Sequence, residues 1–134
     1  MNPVLRPELR YRRLWFVVGL LLAGATTYLS LLPVGYLPAV HLWDKLEHAL
    51  AYVAMAFWFG CVVVRRDILW VGLALLAFGG LIELLQGWMG MGRSADLFDL
   101  VADGVGILLG LLLVISPLGR VPAWLEARLF GVRA

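Results

Sequence analysis

A small set of ionisable residues interrupts a sequence that is otherwise apolar enough to dissolve in lipid. Of the 134 residues, 63% are hydrophobic and only 15% are charged. An ionised side chain in hydrocarbon costs roughly 2.5–3.5 kcal/mol or more, so acids and histidines at membrane depth are retained with partners or for a function. We expect the functional site among these residues, which are Asp44, Lys45, Glu47, His48, Glu83, Arg93, Asp96, Asp99 and Asp103.

The first group of these residues has helical spacing. Asp44, His48 and Tyr52 follow one another at intervals of four and therefore share one helix face. A histidine exchanges a proton near neutral pH, and an acid one turn away would make the two a general acid–base pair. The alternative is structural: Asp44 caps a helix and Glu47 completes a capping box. That alternative leaves His48 and Lys45 unexplained.

Glu83 and Gln86 form a second polar group, one helical turn apart in the apolar stretch GGLIELLQG. No basic residue lies within four positions of Glu83, so its partner must be another helix, water, a cation or a proton. The nearby Gly79, Gly80 and Gly87 would let another helix approach closely. Alternatively, a protonated Glu83 simply forms a hydrogen bond between helices.

The third group combines carboxylates with small residues. Asp99, Asp103, Gly106 and Gly110 lie on one helix face, so two acids stand above a G-x-x-x-G packing seam. Alternatively, Asp99 could cap the start of this helix, and so could Asp96. Asp103 lies one turn deeper and has no such explanation.

The charges in the set do not balance. Six carboxylates accompany only two cations, Lys45 and Arg93, and so many acids cannot all stay ionised and unpaired in a low dielectric. Either several of these carboxylates lie in water, or some hold protons, or a cation completes the site. Oxygen ligands would suit magnesium or calcium, whereas His48 would suit zinc. Conversely, Lys45, Arg93 and two helix N-termini could together hold an anionic group.

The elements that must position these residues are four apolar spans. Each span is long enough to cross a bilayer: Leu14–Leu32, Lys45–Val64, Ile68–Trp88 and Asp99–Ser116. The sequence therefore predicts an all-α integral membrane four-helix bundle built from two helical hairpins. It divides into a basic N-terminus (1–13), a membrane domain (14–118) and a C-terminal tail (119–134).

Basic residues predict the orientation. Most Lys and Arg residues fall at the two termini and in the turn between the second and third spans, so both termini are expected in the cytoplasm and the charged set on the outer side. Because membrane topology already explains where the basic residues lie, we expect no nucleic-acid partner. In the tail, Trp124, Leu125 and Leu129 lie on one side and Glu126 and Arg128 elsewhere, which predicts a short interfacial amphipathic helix.

From about Ser30 to Gly110 the sequence resembles the VanZ-like family of small bacterial membrane proteins. Three ordered motifs carry the resemblance: D-K-x-x-H-x-x-x-Y (Asp44, Lys45, His48, Tyr52), E-x-x-Q (Glu83, Gln86) and R-x-x-D-x-x-D-x-x-A-N-x-x-G-x-x-x-G (Arg93, Asp96, Asp99, Ala102, Asp103, Gly106, Gly110). The chain departs at Asp103, where the family typically has asparagine. The resemblance implies a multi-pass protein of the bacterial cytoplasmic (inner) membrane, and one namesake is linked to teicoplanin resistance.

These features predict an outward-facing polar pocket that binds, and in an enzymatic version processes, an amphipathic cell-envelope substrate or glycopeptide antibiotic. The candidate catalytic residues are the His48–Asp44 acid–base pair and Glu83 with Asp103. The candidate substrate-binding residues are Lys45, Tyr52, Gln86, Arg93, Asp96 and Asp99.

The expected partners are membrane lipids, with a lipid-linked envelope intermediate or a glycopeptide as ligand. Two alternatives stay open. The same residues could pack an accessory subunit against a membrane partner, or they could belong to an ion- or proton-coupled transporter that functions as a homo-oligomer. The sequence leaves open whether the pocket is catalytic.

Overall fold

The computed structural model describes residues 4–32, 44–89 and 95–131, with Asp44 described by its backbone alone. This part of the chain is helical apart from short turns, and its one extended pairing is an isolated bridge between Leu5 and Val63. The five helices are α1 (Arg12–Leu31), α2 (Asp44–Val62), α3 (Ile68–Met89), α4 (Leu97–Ile115) and α5 (Val121–Phe130). The prediction of an all-α protein is confirmed.

Three of the helical stretches are long and apolar enough to cross a membrane: Arg12–Leu31, Arg65–Met89 and Leu97–Ile115. They indicate a membrane protein. The 19-residue helix α2 is of similar length, but three charged residues stand in its first four positions. Lys45, in this first turn, belongs to the charged layer described below.

Helices α2 and α4 run parallel and share the most extensive helix contact in the described part of the chain. Glycines make this contact close. A methyl group at Gly106 would overlap the carbonyl oxygen of Ala49, and one at Gly110 would lie 2.5 Å from the carbonyl oxygen of Val53. The predicted packing role of the G-x-x-x-G seam is confirmed, and its partner is the backbone of α2.

Helix α4 begins where the sequence suggested that an acid could cap it. The Asp96 carboxylate accepts a 2.8 Å hydrogen bond from the Phe98 N–H, which satisfies one of the unpaired donors at the helix start. The cap fixes the first turn of α4 and with it the position of Asp99.

The end of the molecule opposite this cap is held by Arg6. Its guanidinium donates to the carbonyl oxygens of Cys61 at 3.2 Å and Gly119 at 3.1 Å, and its backbone N–H donates to Val62 at 2.9 Å. The carbonyl groups at a helix C-terminus have no partner within the helix, and a cation there also complements the helix dipole. Arg6 thus stabilises the fold, in addition to any effect of its charge on the orientation in the membrane.

The tail forms a helix, α5, in which Trp124 and Leu129 are 57% and 64% exposed. Glu126, however, is only 2% exposed. Its carboxylate accepts hydrogen bonds from the Arg10 and Tyr11 N–H groups at 3.0 and 2.7 Å and from the Trp15 indole at 2.9 Å. The α5 helix is therefore attached to the start of α1 by its acid, while its exposed apolar side chains face outward.

Candidate functional site

The predicted site residues come together where α2 and α4 begin and α3 ends. Eight of the ten lie in this charged layer: Lys45, His48, Tyr52, Glu83, Gln86, Asp96, Asp99 and Asp103. Arg93 and the Asp44 side chain lie outside the described residues, as do the Asp44–His48 pairing and the capping role of Asp44. Helix α1 reaches the layer at Ser30, whose carbonyl oxygen accepts a 2.8 Å hydrogen bond from Gln86.

Lys45 joins α2 to α4. Its ammonium lies 2.8 Å from Asp96 Oδ2 and 2.8 Å from Asp99 Oδ1. The Lys45 ammonium, together with the Phe98 N–H, holds the pKa of the Asp96 carboxyl below its usual value by hydrogen bonding to the ionised form. The positive charge of Lys45 is thus shared by two carboxylates of its own chain.

His48 pairs with an acid from another helix. Its Nδ1 lies 2.9 Å from Asp103 Oδ1, and the side chains are 10% and 1% exposed. A carboxylate bonded to one ring nitrogen fixes the orientation and tautomer of an imidazole. Asp103 can therefore act with His48 as an acid–base pair across the α2–α4 contact.

Glu83 is held at one oxygen only. Its Oε2 accepts a 2.8 Å hydrogen bond from the Asp96 N–H, so the acid on α3 positions the start of α4. Its Oε1 is fully buried and has no partner among the described residues. A buried acceptor without a partner costs about 1–3 kcal/mol, which makes this atom a natural point for a ligand.

Tyr52 carries the second unpartnered atom, since its buried hydroxyl has no hydrogen bond within the described part of the chain. Space for it comes from Gly79 on α3. A methyl group at Gly79 would lie 2.5 Å from Asp103 Oδ2 and 3.0 Å from the Tyr52 hydroxyl. Only a glycine at this position leaves both side chains where they are.

The described layer is strongly acidic. Four carboxylates accompany one ammonium, so with neutral His48 and all four acids ionised the cluster carries three excess negative charges. Within it, His48, Glu83 and Asp99 each offer a ligand atom, and the three atoms lie within 4.8 Å of one another. The arrangement can therefore attract a cation and can transfer a proton through His48.

Two contributors to the layer were not among the predicted site residues. The Ser30 carbonyl oxygen carries no sequence signal, because any residue type supplies a carbonyl. Gly79 had only a weak signal, its place in the Gly79–Gly80 pair one turn before Glu83. A methyl group at Gly80 would clash with no atom, so the structure requires glycine at only one position of the pair. The sequence alone does not distinguish these two glycines.

No family model, curated protein or solved structure matches the chain. Its function is therefore inferred from the chemistry of the charged layer.

Proposed function

We propose that this chain is a VanZ-like four-helix protein of the bacterial inner membrane, with both termini in the cytoplasm, that binds an amphipathic cell-envelope compound or glycopeptide in its charged layer. The orientation is supported by the end opposite the layer, which carries Arg6, Arg65, Arg66 and Arg120. Because basic residues favour the cytoplasmic side, the layer then faces outward.

The observation that carries the proposal is the pair of unpartnered buried atoms beside the His48–Asp103 pair. Buried polar groups are nearly always hydrogen-bonded in proteins, so the Tyr52 hydroxyl and Glu83 Oε1 are exceptions that call for a partner. A ligand that supplies hydrogen bonds to both atoms would satisfy them. Both lie in a layer with the groups best suited to proton transfer.

An amphipathic ligand fits the surroundings of the layer. Large apolar side chains beside it are exposed, among them Leu84, Trp88, Leu97 and Phe98 at 71%, 84%, 73% and 69%. In a bilayer these side chains meet lipid or the apolar part of a ligand. The polar head of such a ligand would then lie against Glu83 and Tyr52.

In an enzymatic version, His48 is the proton donor and acceptor and Asp103 orients it. Lys45 is a positioning residue, since its ammonium fixes Asp96 and Asp99 on α4. Gln86 holds α1 in place through Ser30.

Teicoplanin is the probe that tests the proposal, with the full chain in nanodiscs and binding followed by thermophoresis. We expect the wild type to bind and Glu83→Gln to bind at least 10-fold more weakly, because an amide replaces the unpartnered carboxylate oxygen. The matched control is Glu47→Gln, which removes an exposed carboxylate near the start of α2. Absence of wild-type binding, or equal loss in Glu83→Gln and Glu47→Gln, contradicts the proposal.

A second candidate is a non-catalytic accessory subunit whose polar residues only pack helices. It is favoured by the number of contacts already satisfied in the layer, notably the two ion pairs of Lys45 and the bond from Gln86 to Ser30. This alternative predicts that Glu83→Gln lowers thermal stability and leaves no ligand-specific defect. The pocket proposal predicts a folded variant that has lost binding.

A further inference from the structure

We infer that His48, Glu83 and Asp99 form a binding site for a divalent transition-metal ion, with zinc as the best match. This inference deepens the proposed function and rests on it for the role of the charged layer as a ligand site. The three residues come from three different helices, so the ion would join α2, α3 and α4 at one point.

The geometry is close to that of a loaded site. One ligand atom from each residue lies within 4.8 Å of the other two. Ligand atoms about 2.1 Å from a tetrahedral zinc ion are roughly 3.4 Å apart, so side-chain rotations that shorten these separations by up to about 1.4 Å would complete the site. Glu83 and Asp99 are both 6% exposed, and the His48 side chain is 10% exposed.

The buried carboxylate of Glu83 points to a bound ion independently of the distances between the three ligand atoms. Its side chain is more than nine-tenths buried, and Oε1 has no partner among the described residues. A carboxylate has two oxygens and about four acceptor positions, of which the Asp96 N–H uses one. A metal ion would use the remaining capacity and remove the cost of the unpartnered oxygen.

The neighbours of the three residues are those that a metal site requires. Asp103 bonds the His48 ring, as carboxylates do behind metal-binding histidines. Lys45 bonds Asp99 Oδ1, and the carboxylate retains acceptor positions for an ion. A +2 ion would reduce the three excess negative charges of the layer to one.

The donor set selects the ion. One imidazole nitrogen and two carboxylates suit zinc and related transition ions, whereas magnesium and calcium prefer oxygen ligands alone. Three protein ligands leave a position for a fourth, as in catalytic zinc sites. An oxygen atom of the proposed envelope ligand would bind there, which would make the ion the contact between protein and ligand.

The test uses the full chain purified in detergent, treated with EDTA and then titrated with Zn²⁺ by calorimetry, with metal content measured by mass spectrometry. We expect one zinc per chain, and at least 10-fold weaker binding in Glu83→Gln and His48→Gln. Glu47→Gln is the matched control and should retain the wild-type affinity, because the Glu47 side chain is exposed. Circular dichroism and tryptophan fluorescence verify that each variant is folded.

Wild-type protein that binds no zinc, or zinc affinity that is unchanged in folded Glu83→Gln, overturns the metal site. Teicoplanin binding measured on the same samples separates this inference from the proposed function. Zinc binding without teicoplanin binding supports the metal site and contradicts the glycopeptide ligand. Teicoplanin binding by a chain that takes up no zinc does the reverse.

Discussion

Replacement of Gly106 by alanine tests whether the α2–α4 seam sets the geometry of the charged layer. The added methyl group would overlap the carbonyl oxygen of Ala49. A backbone carbonyl cannot rotate out of the way as a side chain can, so the two helices must separate. Gly104 on the same helix provides the control, because a methyl group there would meet only a side-chain atom of Leu76 at 3.9 Å.

The magnitude follows from comparing the two variants. Both gain the same helix propensity on replacing glycine by alanine, up to about 1 kcal/mol, so this contribution cancels in their difference. What remains is the cost of overpacking, typically about 1–3 kcal/mol. We therefore expect Gly106→Ala to be less stable than Gly104→Ala by about that amount.

The site should respond as well. Relief of the overlap requires the helices to move apart by about 1 Å, the difference between a clash and ordinary contact. The Lys45–Asp99 and His48–Asp103 distances, now 2.8 and 2.9 Å, would then exceed hydrogen-bond range. Gly106→Ala should therefore weaken zinc and teicoplanin binding as well as stability.

Stability is measured by denaturant titration in mild detergent, with tryptophan fluorescence as the signal, and binding by the two titrations described above. Equal stability of Gly106→Ala and Gly104→Ala would refute the role of the seam. Lower stability of Gly106→Ala with unchanged ligand affinity would refute the coupling between the seam and the site.

Two further predictions concern individual carboxylates. Glu126→Gln should cost about 1.5–3 kcal/mol, because an amide replaces a buried carboxylate that accepts three hydrogen bonds. Thermal unfolding should show no such loss in Glu8→Gln, whose side chain is 68% exposed, and equal melting temperatures of the two variants would contradict this assignment. Lys45→Met should raise the pKa of Asp96 towards its ordinary value in a carboxyl NMR titration, and an unchanged pKa would exclude the ion pair. Since the pKa of Asp96 is lowered in the folded state, its contribution to stability is present above the ordinary value and is lost as the pH falls through the lowered one.

The sequence was sufficient for the helices and for those members of the charged layer that the structure describes. Apolar spans long enough to cross a bilayer predicted the bounds of α3 and α4 to within two residues, because length and hydropathy are local properties. Consecutive helices joined by short connections reverse direction, so the start of α2, the end of α3 and the start of α4 had to meet. That requirement placed His48, Glu83 and Asp103 in one layer before any contact was known.

The pairings were beyond the sequence. Spacing relates residues of one helix, and it therefore linked His48 to Asp44. The tertiary structure brings Asp103 to His48, both Asp96 and Asp99 to Lys45, and a backbone N–H to Glu83. None of these contacts joins residues of the same helix.

The sequence by itself thus determined which residues share a helix face and which end of the membrane-spanning elements they occupy. The tertiary structure decided which of them touch, which atoms stay without a partner, and that Glu126 is buried against the start of α1. The physical reason is that helical periodicity fixes a side chain only about its own helix axis. The rotation and relative depth of two helices depend on close contacts such as that between Gly106 and Ala49, which are made between residues far apart in the chain.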